Sequence, residues 1–209
     1  MPIIRTHKLT QKNYLSKNKH LKILDLGCSY SNYWKEANHF ADIDDHYENF
    51  SKSNLKYTKI EINKKLPFKD KEFDYVILSH VMEHVPNLLE FKDELVRIGK
   101  SGYIELPTKL YDNVVFGSDE PILGHKWWFE FDDDNKILKY TKKIAAIEKF
   151  MSVGTSWKFQ EYFEDSFLLQ FYWKDNFDMI ERQSFNIEKK ITFLQLIKKY
   201  FSKKLRNFF

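Results

Sequence analysis

Between residues 21 and 107 short apolar runs alternate with segments whose apolar positions recur every three or four residues. LKILDLGCS (21–29) predicts a buried strand that ends in a glycine turn. FADIDD (40–45) predicts a short strand with an acidic end, YTKIEI (57–62) alternates as a strand does, and FDYVILS (73–79) reads as an apolar strand. In LLEFKDELVRIG (88–99) Leu88, Phe91, Leu95 and Ile98 share one helical face, with Gly99 as the cap. GYIELP (102–107) is a further strand, and short helices are expected near Thr10–Asn18 and within YSNYWKEANHF (30–40). Strands that alternate with helices in this way predict an α/β fold, a Rossmann-like and mostly parallel sheet with helices on both faces.

Beyond Pro107 the pattern changes. WWFEFDDDNKILKYTKK (127–143) predicts a hairpin turning at Asp132–Asn135, and IAAIEKFM (144–151) a helix. FEDSFLLQFYWK (163–174) and FDMIERQSFN (177–186) predict two antiparallel strands joined at Asp175-Asn176 that complete one sheet edge. The expected organisation is a domain over 1–188, with a core at 20–107, an inserted hairpin or lid at about 108–160 and the sheet-completing strands at about 163–186. A basic amphipathic helix follows at 189–209.

Charge sharpens that last boundary. The final 21 residues hold seven of the 34 basic groups and none of the 30 acidic ones, so they carry +7 and residues 1–188 carry −3. On a helix Leu194, Ile197, Phe201, Leu205 and Phe208 align, and Lys199, Ser202, Lys203 and Arg206 lie away from them. That pattern fits an anionic membrane surface, and it also fits a helix packed on its own domain. Arginine is confined to Arg5, Arg97, Arg182 and Arg206, a balance that argues against a specific nucleic-acid reader. One cysteine, Cys28, excludes a disulfide framework. With no apolar leader and no membrane-spanning run, a cytoplasmic protein is expected, peripheral at the inner membrane surface if the tail binds lipid.

The strand–turn at 23–30 is where a doubly wound sheet binds nucleotide-like ligands, and Asp42 or Asp44 stands where an acidic residue can accept from ribose hydroxyls. ILDLGCS, FADIDD, LPFKDKEFDYVILSHVMEHV and GYIELP, in this order and spacing, resemble class I S-adenosylmethionine-dependent methyltransferases of the type 11 kind over roughly residues 20–107. The resemblance implies S-adenosylmethionine as cofactor. It implies that Asp25, Gly27 and Ser29 hold the methionine end, that Asp44 (preferred to Asp42) holds the ribose, and that Glu61 and Asp70 flank the adenine. Ser79 and His80 would lie in the segment closing over the cofactor. Ser29 departs from the family pattern, which has glycine there. A serine forced into the left-handed region costs about 1 kcal/mol, so a degenerate, scaffold-like protein is an alternative.

GYIELPTKL and GHKWWFEFDDDNKILKYTKK resemble methyltransferases of this kind associated with surface-polysaccharide and glycan clusters, which implies a sugar, glycan or small-metabolite acceptor. An oxygen acceptor must lose a proton, and His125 or His80 is the candidate base. Trp127, Trp128 and Trp157 are candidates for a sugar-stacking wall or for core. His80-Val81-Met82-Glu83-His84 also fits H-x-x-E-H, so a zinc hydrolase built on His80 and His84 is a further alternative; the methyltransferase reading places no metal.

Overall fold

The computed structural model describes residues 3–114, 124–143, 161, 163–182 and, singly, 194, 197, 198 and 201. Its main sheet has seven strands: β1 (Ile4–Arg5), β2 (Ile23–Leu26), β3 (His39–Asp42), β4 (Lys56–Lys59), β5 (Tyr75–Ser79), β6 (Ser101–Pro107) and β9 (Leu168–Lys174). Their order is β1-β9-β6-β5-β2-β3-β4. β2 through β6 are mutually parallel, while β9 runs antiparallel to β6 and β1 antiparallel to β9. β7 (Trp127–Asp132) and β8 (Ile137–Lys142) form a hairpin joined by β10 (Met179–Glu181) in a separate three-stranded sheet. Among the described residues no helix is long and apolar enough to cross a membrane.

Helices cover both faces. On one, α3 (Leu88–Ile98) buries Leu88, Phe91, Leu95 and Ile98 against Val76, Leu78 and Ile104. On the other, α1 (Lys8–Lys17) and α2 (Tyr47–Lys52) bury Leu15 and Phe50 beside Ile23, Phe40 and Ile77. α1 has few apolar positions, so polar bonds help to seat it. Buried Gln11 accepts a hydrogen bond from the Tyr75 hydroxyl at 2.6 Å and donates to Thr6 at 2.8 Å. The His7 ring accepts from the Leu9 N–H and caps the helix. Two short helices complete the set, α4 (Lys109–Val114) after β6 and α5 (Glu164–Phe167) before β9.

Two local expectations are corrected. Residues 30–38 form turns rather than a helix, because the Trp34 N–H is taken by the buried Asp25 carboxylate at 2.7 Å and Asn32 N–H bonds back to Ser29. The antiparallel pair at the sheet edge exists, but its members are β1 and β9. β10 leaves that edge and pairs in parallel with β8, in register from Met179↔Leu138 to Glu181↔Tyr140. The helix expected at 144–151, Trp157 and most of the basic tail lie outside the described residues.

Candidate functional site

β2 is flanked by β3 on one side and β5 on the other. Chain connections therefore diverge from β2, and a crevice opens beyond the carboxyl ends of these strands. A cavity of about 500 Å³ occupies it. Its wall takes Leu26 and Gly27 from β2 and its turn, Asp42 and Ile43 from β3, and Ile60, Ile62 and Asn63 from beyond β4. His80, Val81, His84 and Pro86 follow β5, Phe91 comes from α3, and Lys126 precedes β7.

Gly27 has φ +82°, and a Cβ there would meet Val81 Cγ2 at 2.3 Å. Glycine is required on both counts. Its N–H is tied to Ala41 O at 2.7 Å, which couples the turn to β3. Ser29 is not among the residues of positive φ, so the left-handed penalty expected for serine does not arise. Its hydroxyl lies 3.1 Å from that of Ser31, outside the cavity wall. Asp25 is buried beneath the turn, and desolvation, only partly offset by the Trp34 N–H and by Lys8, raises its pKa to about 7. Asp25 shapes the loop from below and is not in the cavity wall. Cys28 is free and buried, with its thiol pushed well up by desolvation, an inert structural position.

Asp42, half-buried, faces the cavity, and its Oδ1 accepts the Asp44 N–H at 3.0 Å. Burial raises its pKa. Asp44 is exposed and outside the wall. Glu61 is exposed and paired with Lys64 at 2.7 Å; its neighbours Ile60, Ile62 and Asn63 line the cavity instead. Asp70 is exposed and paired with Arg97 at 2.9 Å, also away from it.

The residues after β5 join a network of buried charged groups. His80 sits at φ +58°, where chain direction changes sharply at the strand end. Its Nδ1 lies 3.2 Å from Glu83 Oε1 and its Nε2 3.7 Å from Glu105 Oε1. Desolvation opposes charge on His80, but the hydrogen bond and charge of Glu83 and the charge of Glu105 outweigh it, so its pKa is raised. Glu83 is fully buried; that desolvation is overcome by His80 and by the nearby His125 and His84, which hold it ionised. Glu105 accepts from Ser79 at 2.6 Å, Tyr103 at 2.7 Å and Lys8 at 3.1 Å. Ser79 therefore serves this network rather than the cavity wall.

The segment 80–84 is not the helix an H-x-x-E-H zinc site needs. Met82–His84 is one 3-10 turn, and His80 is outside the group of donor atoms close enough to share an ion with His84. The turn is strapped to the start of β7: Lys126 N–H donates to Glu83 O, Lys126 Nζ to His84 O and Trp127 Nε1 to Val85 O. His125 is brought against it. Its Nδ1 lies 2.5 Å from Asp112 on α4, and its ring packs against His84 with centroids 4.7 Å apart. Trp127 and Trp128 are committed to packing, Trp127 on Tyr140 and Trp128 buried under Lys109. Asp132 accepts the N–H groups of Asp134 and Asn135, the arrangement of a tight hairpin turn.

Glu105 and Asp112 were not singled out by the sequence. Each lies in an ordinary stretch, and only the fold gathers them with His80 and His125.

A comparison with curated proteins finds no match. Among solved structures the chain is similar to the MccD protein, at 25% identity and TM-score 0.40 over 46% of this chain and 52% of that one. It is also similar to a SAM-dependent methyltransferase from Archaeoglobus fulgidus, at 17% identity and TM-score 0.43 over 80% and 94%. A third is the trans-methyltransferase CalH in complex with SAH, at 18% identity and TM-score 0.39 over 46% and 35%. The match thus spans about half the length of the first of these proteins and about a third of the last. Residues 24–104, which supply β2 to β5, α3 and all but one residue of the cavity wall, match a family model described as a methyltransferase domain. That segment is similar to a methyltransferase domain, and the fold that carries it is α/β with a mostly parallel, Rossmann-like sheet.

Proposed function

We propose that this chain is an S-adenosylmethionine-dependent methyltransferase acting on a hydroxyl group of a sugar, glycan or small metabolite. The observation that carries the reading is the cavity at the β2/β3/β5 junction, opened by Gly27 and provided with a carboxylate by Asp42. The residues present fit the cofactor. Gly27, without a side chain, lets a ligand approach the backbone of the turn. Asp42 offers acceptor oxygens for a ribose diol, the role assigned to it here in place of Asp44 because only Asp42 faces the cavity. Ile43, Ile60, Ile62 and Phe91 supply apolar surface for a flat ring. S-adenosylmethionine supplies an electrophilic methyl group when bound.

The chain's own contribution is then to align the acceptor and remove its proton. His80 is the best-placed base, since it lines the cavity and Glu83 can accept its Nδ1–H, leaving Nε2 with a lone pair. The carboxylate behind the ring orients it and stabilises the imidazolium that forms. His125 is not in the wall and is engaged by Asp112, so it is assigned no proton transfer. A sugar acceptor rests on the likeness of the second half of the chain to glycan-cluster methyltransferases. The basic tail would bring the enzyme to lipid-linked acceptors at a membrane surface.

The test is calorimetric titration of the full chain with S-adenosylmethionine and S-adenosylhomocysteine. Micromolar binding is expected, weakened more than about tenfold by Asp42→Ala, which removes hydrogen bonds to a ligand worth over 1 kcal/mol. Asp44→Ala should leave it within a few-fold. Absence of binding at millimolar cofactor, or equal loss in both variants, would overturn the assignment.

A further inference from the structure

We infer that Glu83, His84 and His125 form a binding site for a divalent transition-metal ion of the zinc type. This does not rest on the methyl-transfer reading. One ligand atom from each residue lies within 4.8 Å of the others, close enough to share an ion. Two imidazoles and a carboxylate are a donor set suited to zinc and its first-row neighbours rather than to magnesium or calcium.

Two observations point to a ligand here. The first is Glu83. Its side chain is completely buried, Oε1 meets His80, and Oε2 has no hydrogen-bond partner. A buried carboxylate oxygen without a partner is costly, and a cation is a natural partner for it. The second is the way His125 is held. Asp112, itself buried, lies 2.5 Å from Nδ1, the carboxylate–histidine arrangement that orients a metal-binding ring. With a proton on Nδ1, neutral His125 presents a lone pair at Nε2, which lies 3.9 Å from Glu83 Oε1. Lone pair facing carboxylate calls for a positive species between them, either a second proton on the ring or a metal ion.

The site is also built to stay in place. His84 and Glu83 are fixed in the turn by the bonds from Lys126 to their carbonyls, and the same strap sets His125 beside them. Buried Lys143, 3.7 Å from Asp112 Oδ2, balances the outer carboxylate. Because His84 also lines the large cavity, an ion held there reaches the cavity wall from behind.

The experiment is a titration of chelator-treated, full-length protein with zinc, repeated with cobalt for its visible absorption and with magnesium. One zinc per chain, a cobalt band displaced by zinc and no competition by magnesium are expected. Side-chain nitrogen signals of His84 and His125, followed by NMR in the unmutated protein, should shift on zinc addition. Asp112→Asn should weaken zinc about 10–100-fold, as loss of an outer-shell partner does, and His125→Ala by more. His46→Ala, which disrupts the separate group of Asp42, Asp44 and His46, should leave the stoichiometry unchanged. The inference is overturned if zinc and cobalt do not bind stoichiometrically, if only the His46 signals shift, or if zinc affinity survives His125→Ala.

Discussion

Gly27 and Val81 are fitted to each other across the mouth of the cavity: a Cβ added to Gly27 would stand 2.3 Å from Val81 Cγ2. The glycine also holds φ +82°, so two separate penalties attend any side chain there. The left-handed backbone costs roughly 1–2 kcal/mol and the overlap roughly 1–3 kcal/mol. Gly27→Ala is expected to lower unfolding stability by about 2–5 kcal/mol on these principles and to abolish cofactor binding. Adding Val81→Ala should recover the overlap part but not the backbone part. Chemical denaturation of the two single variants and the double variant gives the coupling directly. Strict additivity would show that the two residues do not press on one another.

If the proposed function holds, a variant at His80 should separate cofactor binding from proton transfer. Its positive φ makes alanine a poor probe, whereas asparagine tolerates that backbone region. His80→Asn is expected to lower turnover by about 10²–10⁴-fold while the affinity for S-adenosylhomocysteine stays within a few-fold. Single-turnover transfer of labelled methyl to the acceptor that the unmutated enzyme labels is the measurement. Undiminished transfer would remove His80 from the chemistry.

The parts of this site that lie close in sequence were legible in it. Apolar runs ending at Leu26, near Asp42 and at Ser79 marked three strands because a buried parallel sheet demands them, and Asp25 and Gly27 marked the turn. What was not legible depends on distant partners. Ile4–Arg5 is too short to read as a strand until β9 lies beside it. The 30–38 stretch has helical composition, yet Asp25 takes the Trp34 N–H and holds it in turns. Asp42 and Asp44 are equivalent on paper; the end of β3 at Asp42 decides which of them faces the cavity. The union of His80, Glu83, His125, Asp112 and Glu105 draws on four separate segments, and periodicity carries no information about it.

His39 gives the fold a dependence on pH away from the site. Its ring is buried in β3 between Phe68 and Phe73, with Nε2 2.8 Å from the Thr58 hydroxyl. Desolvation, helped by Lys56 and Lys22, lowers its pKa from 6.5 to about 4. Between those values the unfolded chain binds the proton and the folded one does not, so stability falls as pH drops through this window. Full expression of the effect is roughly 3 kcal/mol, taking 1.36 kcal/mol per tenfold change in proton affinity. His39→Gln cannot titrate, and its unfolding free energy should vary less between pH 7 and pH 4.5 than that of the unmutated chain. Parallel pH profiles for the two proteins would place the titration elsewhere.

The basic tail makes the remaining expectation physical. Leu194 and Phe201 are 75% and 57% exposed, so these two apolar positions are not sheltered by the domain. They lie in the same 21 residues that carry seven basic groups and no acidic one. Each lysine or arginine near an anionic bilayer contributes about 1 kcal/mol, and inserted apolar side chains add to that, so a tail of this composition should bind without a spanning helix. The full chain is expected to sediment with vesicles rich in phosphatidylserine, to be released by raising salt, and to stay in solution with neutral vesicles. Deleting residues 189–209 should abolish the sedimentation while leaving cofactor affinity unchanged, since the cavity is lined by described residues of the body, and Leu194, Ile197, Lys198 and Phe201 are not among them. Equal sedimentation of the full and truncated chains would show that the tail is not a membrane anchor, and its lysines would then serve only to keep that end of the chain in water.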